Sequence, residues 1–229
     1  MKTIVITGCS WGAGEWGGDG QPFAHAGLAQ YFSESGYNVV NLSCTGSGNF
    51  KLIQPLSNFL EINLHLDIEH IFVLQTDIGR DFDQKWWANV RNELLDVNTP
   101  NLEYRISEMY CQFYDKLNYT MKNRKKKVHL IGGLTDLNMD FKNDFENINF
   151  LIPSWTQLCD PATPLCYVIN HNGFADFLDK RQHMEYIIAT HTRLNYFENH
   201  PEFFWPDGTH PNRYGHKILY DAVKTKLNL

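Results

Sequence analysis

At 229 residues the chain is long enough to bury one full core, and its 43% hydrophobic and 20% charged content is that of an ordinary folded globule. A net charge of −6 argues against a general nucleic-acid binder, which carries a basic face. Five cysteines, an odd number with no Cys-x-x-Cys, argue against a disulfide framework; no apolar run approaches the ~20 residues that span a bilayer, and the start does not read as a leader, so a cytoplasmic protein is expected.

Along the chain, residues 3–7 form an apolar, β-branched run that reads as a buried parallel strand. A glycine-rich loop, 12–22, separates it from a helix expected over 23–35 and closed by Gly36. A strand at 38–42, a helix at 53–66 and a strand at 70–74 follow. The stretch 77–100 then fits neither class and carries Trp86-Trp87. The pattern resumes with a helix over 102–126, strands at 128–131 and 149–152, and helices over 174–197 and 212–227. The basic run from Lys122 to Lys127 closes one of these helices and suits its negative end. Cys44, Cys111 and Cys166 fall in or near apolar stretches and are expected to pack as small hydrophobes. Strand alternating with helix, without repeat or linker, predicts a single α/β domain over 1–229: a three-layer sandwich around a mostly parallel sheet of about five strands. Loops leaving the C-terminal ends of such strands build the site, so 12–22 and 77–100 are expected to shape a cleft.

Two motifs carry chemistry. Gly8-Cys9-Ser10 leaves a serine just past the first strand, and Trp205-Pro206-Asp207-Gly208-Thr209-His210-Pro211-Asn212 sets a carboxylate and an imidazole three residues apart before the last helix. Ser10 alone is a poor nucleophile; His210 would take its proton, and Asp207 would hold the imidazole tautomer. Each motif alone reads as a turn or helix cap, and it is their combination at opposite ends of the chain that points to nucleophilic acyl transfer.

A competing pattern lies in the same loop. Gly12-Ala13-Gly14-Glu15-Trp16-Gly17 matches GxGxxG, and Thr7 to Gly14 resembles the TGxxxGxG loop of short-chain dehydrogenases. Pyrophosphate binding needs a helix that opens at those glycines, yet Gly17-Gly18-Asp19-Gly20-Gln21-Pro22 follows. Asn41-Leu42-Ser43 offers no acid for a ribose, and the pair Tyr220 and Lys224 stands too near the end of the chain.

The order of motifs resembles the SGNH (GDSL-like) hydrolases along almost the whole chain. Asp207-Gly208-Thr209-His210-Pro211 fits that family's DxxHP block, and Gly8-Cys9-Ser10 matches Gly-Asp-Ser with cysteine in place of aspartate. The resemblance implies a flavodoxin-like sandwich, a Ser10–His210–Asp207 triad and no cofactor or metal. It also implies an oxyanion site built from the backbone N–H groups of Ser10 and Gly46. The family's third block, Gly-x-Asn-Asp, corresponds to Gln75-Thr76-Asp77 and lacks the asparagine, which leaves Gln75 and Thr76 as alternative side-chain donors. Trp11, Asn49, Arg80 and Trp205 are expected to contact substrate. The activity implied is hydrolysis of an acyl ester, such as an O-acetyl group on a carbohydrate, with neither nucleic acid nor membrane as partner. A non-catalytic carbohydrate-binding or assembly protein on the same fold is the alternative; a nicotinamide-dependent oxidoreductase is a more remote one.

Overall fold

The computed structural model describes residues 1–15, 25–81, 100–163, 165, 200–205 and 210–229. Strands β1 (Thr3–Thr7), β2 (Asn38–Asn41), β3 (Ile68–Leu74), β4 (Val128–Ile131) and β5 (Ile148–Ile152) form one sheet in the order β2-β1-β3-β4-β5. Every pairing is parallel, with Ile6 opposite both Asn41 and Phe72. The helices are α1 (Ser10–Ala13), α2 (Leu28–Glu34), α3 (Asn49–Ile62), α4 (Pro100–Arg124), α5 (Trp155–Cys159) and α6 (Arg213–Leu227).

Alternation along the strands explains the layers, because successive side chains point to opposite faces. Val5, Ile71, Val73, Val128 and Leu130 meet Ile53, Leu56 and Leu60 of α3 and Tyr110, Phe113, Tyr114 and Leu117 of α4. Ile4, Ile6, Phe72 and Leu74 meet Leu28 and Phe32 of α2, Trp155 of α5 and Leu219, Tyr220 and Val223 of α6. The result is the expected three-layer α/β sandwich with helices on both faces.

Several boundaries differ from the sequence expectation. The helix expected over 23–35 begins at Leu28, because Gly27 enters it with a positive φ of 58°. Gly36, with φ 90°, follows the same helix as expected. Helix α3 begins at Asn49 rather than 53. Its first N–H groups are met by Asp81, which accepts from Asn49 N at 2.7 Å and Phe50 N at 2.9 Å. Cys44 is exposed rather than packed, and Cys9, Cys44, Cys111 and Cys159 are free thiols. The helix expected over 174–197, Cys166 and Trp86-Trp87 lie outside the described residues, as does most of the loops 12–22 and 77–100. Among the described residues, no helix is long and apolar enough to cross a membrane.

Candidate active site

The strand order sets the place. From β1 the chain moves outward to β2, then returns across β1 to β3, so its direction of winding reverses between β1 and β3. In open α/β sheets the crevice beyond the carboxyl ends of the strands at such a reversal is where ligands bind. Ser10 lies three residues past β1, and Gln75 and Thr76 follow β3 directly.

Ser10 is the first residue of the four-residue helix α1, with Cys9 at the N-cap position. A first helical residue has no intrahelical partner for its N–H, so this turn presents hydroxyl and amide together. Gly12 falls inside α1 and Gly14 ends it, so these glycines close a helix rather than open one. That is the reverse of a dinucleotide-binding loop.

His210 is placed by two local devices. Asn212 caps α6, its side chain accepting from Tyr214 N at 2.9 Å and Gly215 N at 3.1 Å. Before it, the chain folds back on itself: Trp205 N donates to His210 O at 2.9 Å, Phe204 bridges Pro211, and Asn212 N donates to Phe203 O at 2.9 Å. The imidazole Nε2 thereby comes to lie 2.8 Å from Ser10 Oγ. With Ser10 as donor, Nε2 is the unprotonated nitrogen and the ring proton sits on Nδ1. Asp207, expected to orient that proton, lies outside the described residues.

The other candidate residues are divided between site and scaffold. Trp11, expected at the substrate, is 2% exposed. It meets Trp155 edge-on at 5.2 Å and Phe204 at 5.9 Å. The reason is the single turn of α1, which directs the residue after Ser10 into the core. Trp205 is half-buried beside His210. Gly46 is exposed, with φ 73°, in a turn closed by Ser47 N on Cys44 O at 3.2 Å. That turn is tied to the serine loop by Cys44 N on Gly8 O at 2.9 Å.

Asn49 is fully buried rather than open to substrate. Its amide grips the Thr76 peptide, Nδ2 donating to Thr76 O at 2.8 Å and Oδ1 accepting from Thr76 N at 2.9 Å. Gln75 is also fully buried. Its two amide hydrogens go to Thr135 Oγ1 at 3.2 Å and Asp136 O at 2.6 Å, while Oε1 accepts from Tyr114 OH at 2.7 Å. The amide is committed inside the protein and has no proton left for an oxyanion. Thr76 is buried too, and its hydroxyl oxygen receives Arg80 Nη1 at 3.4 Å. Arg80 itself is half-buried, in a one-turn 3-10 helix, Ile78–Asp81.

Sequence reasoning missed the supporting contacts. Thr135, Tyr114 and Asp81 carry no motif, and they meet Gln75 and Phe50 across 31 to 60 positions of the chain. Burial of Asp81 pushes its carboxyl up to about 6, even though two backbone N–H groups favour the charged form.

Fold and site together define a doubly wound α/β protein with a serine–histidine pair at its switch point. No family model matches the sequence, and no curated protein matches it. Among solved structures, the chain is similar to the psychrotrophic esterase EstA from Pseudoalteromonas sp. (14% identity, TM-score 0.48, covering 99% of each chain). It is similar to TesA (13% identity, TM-score 0.46, covering 98% of this chain and 97% of the other). It is also similar to a member of the lipolytic protein G-D-S-L family from Veillonella parvula (13% identity, TM-score 0.40, covering 98% and 97%).

Proposed function

We propose that this chain is a serine ester hydrolase of the SGNH type. The observation that carries the proposal is the 2.8 Å contact between Ser10 Oγ and His210 Nε2 at the switch point of the sheet. Ser10 Oγ attacks the acyl carbonyl while its proton passes to His210 Nε2. The tetrahedral intermediate collapses as His210 returns that proton to the departing alkoxide, leaving an acyl group on Ser10. Water, deprotonated by the same imidazole, then releases the acid and restores the serine.

Asp207, three residues before His210, is assigned to the Nδ1 proton. The oxyanion is assigned to the backbone N–H groups of Ser10 and Gly46. With the Gln75 amide committed to Thr135 and Asp136, the side-chain donor is assigned to the Thr76 hydroxyl or the Arg80 guanidinium that meets it. The substrate class is an acyl ester, with O-acetyl groups on a carbohydrate among the candidates.

The test is turnover of p-nitrophenyl acetate and longer p-nitrophenyl esters by the wild-type chain and by Ser10→Ala. Hydrolysis that disappears in the variant supports the reading, and equal rates in the two proteins sink it. The held amide of Gln75 favours one second reading: a carbohydrate-binding protein on the same scaffold, which would bind an acetylated sugar with no turnover.

A further inference from the structure

Ser10 and His210 stand on separate segments of the chain, and the contact between them is only as well defined as the register of those segments. Five residues after Ser10 comes Glu15, whose side chain is 2% exposed; three residues after His210 comes Arg213. The two side chains meet in an ion pair: Nε donates to Oε1 at 3.4 Å and Nη2 lies 3.2 Å from Oε2, with Glu15 buried and Arg213 half-exposed. We propose that Glu15 and Arg213 are positioning residues that fix the serine segment against the histidine segment.

The surroundings support a registering role over an incidental surface pair. Both ends of the link are themselves anchored. Glu15 N donates to His25 O at 2.8 Å, and Tyr31 OH donates to Arg213 O at 3.0 Å. One turn further along α6, the buried ring of His216 packs where a side chain on Gly27 would come within 2.6 Å of it. Glycine is therefore needed for that close approach. An ordinary exposed pair contributes little and tolerates loss, whereas a carboxylate this deeply buried is strongly unfavourable without its cation. A bond of this kind, spanning 198 positions, holds the two backbones in one alignment.

The inference rests on the reading of Ser10 and His210 as the reacting pair, so the experiment begins by labelling wild-type Ser10 with a fluorophosphonate. No adduct on Ser10 would sink that reading and the inference with it. Given an adduct, p-nitrophenyl acetate kinetics are compared in Arg213→Met, Arg213→Lys and the double variant Glu15→Gln/Arg213→Met. The expected result for Arg213→Met is a fall in kcat on the order of 10²-fold, the scale of an ångström misplacement, with KM near its wild-type value. Arg213→Lys keeps the charge without the Nε donor and recovers part of the rate. The double variant removes the buried charge, so it regains the unfolding midpoint but not kcat; this holds the test open even if the single variant folds poorly. A double variant that regains rate and midpoint together, or an Arg213→Met protein with wild-type kcat, would overturn the positioning role.

Discussion

One side chain, that of Asn49 at the start of α3, completes both hydrogen bonds of the Thr76 peptide just beyond β3. It does the work of a further strand where the sheet has ended, while Thr135 Oγ1 donates to the same carbonyl at 2.9 Å. Asn49→Ala leaves the Thr76 N–H without its acceptor inside the protein and removes one of two donors to the carbonyl. The expected loss is about 2–4 kcal/mol of unfolding free energy, read from urea titrations. A loss within the scatter of surface variants would mean that the peptide finds other partners.

Tyr114→Phe makes a narrower test of the same region. The phenol donates to Gln75 Oε1, whose own amide hydrogens are held by Thr135 and Asp136. Removing it strips a buried carbonyl of its donor and is expected to cost about 1–3 kcal/mol. Equilibrium unfolding in guanidinium measures it, and a stabilised variant would show that Gln75 is less tightly held than these distances imply.

Gly48 has no positive φ, so its requirement for glycine is one of space. A β-carbon there would overlap Asp81 Oδ1, the atom that receives Phe50 N. Gly48→Ala is therefore expected to displace the carboxylate from the start of α3 and to cost about 1–3 kcal/mol, the usual range for overpacking. Gly46→Ala tests the contrast: nothing lies within 4 Å of its added carbon, and any cost there comes from the positive φ of 73°. A larger unfolding shift for Gly46→Ala than for Gly48→Ala would contradict the spatial argument.

Acid sensitivity follows from two histidines held neutral. Burial, aided by the neighbouring charge of His70, pushes His129 down to about 4, and burial pushes His216 down to about 3. Asn149 Nδ2 donates to His129 Nδ1 at 3.1 Å, so His129 Nε2 carries the hydrogen that meets His70 Nδ1 at 3.0 Å. The unfolded chain takes up these protons near 6.5 and the folded chain only well below it. Their stabilising contribution is thus complete above about 6.5 and is lost as the pH falls toward 4. Asp81 works in the opposite sense, since its raised value lets the folded state take a proton first, between about 6 and 3.8. His129→Gln keeps a donor for His70 without titrating, and its unfolding midpoint is expected to fall less steeply than that of the wild type between pH 7 and 4.5. Parallel slopes for the two proteins would remove His129 from the account.

What the sequence makes legible divides along the range of the interactions. The five strands are readable because each is a short run with aliphatic or β-branched residues at its centre, and the observed spans lie within two residues of expectation. Helix starts are less readable where a distant group sets them: α3 opens at Asn49 because Asp81, 31 positions away, meets its first N–H groups. The pairing of Ser10 with His210 follows from motif order, since each motif sits where the sheet topology delivers it to the same edge. Trp11 and Asn49 show the limit. Both stand beside site residues in sequence, and both turn inward once the single turn of α1 and the Thr76 peptide claim them. The choice between Gln75 and Thr76 depends on Tyr114 and Thr135, which local pattern does not connect to β3.

The central claim is that Ser10 is a nucleophile activated by His210. Intact-mass labelling with a fluorophosphonate, mapped by peptide and repeated on His210→Ala, tests it most directly. The account predicts one stoichiometric adduct on Ser10 that vanishes in the histidine variant. A folded wild-type protein that takes no adduct on Ser10, or one that labels equally well without His210, would contradict it.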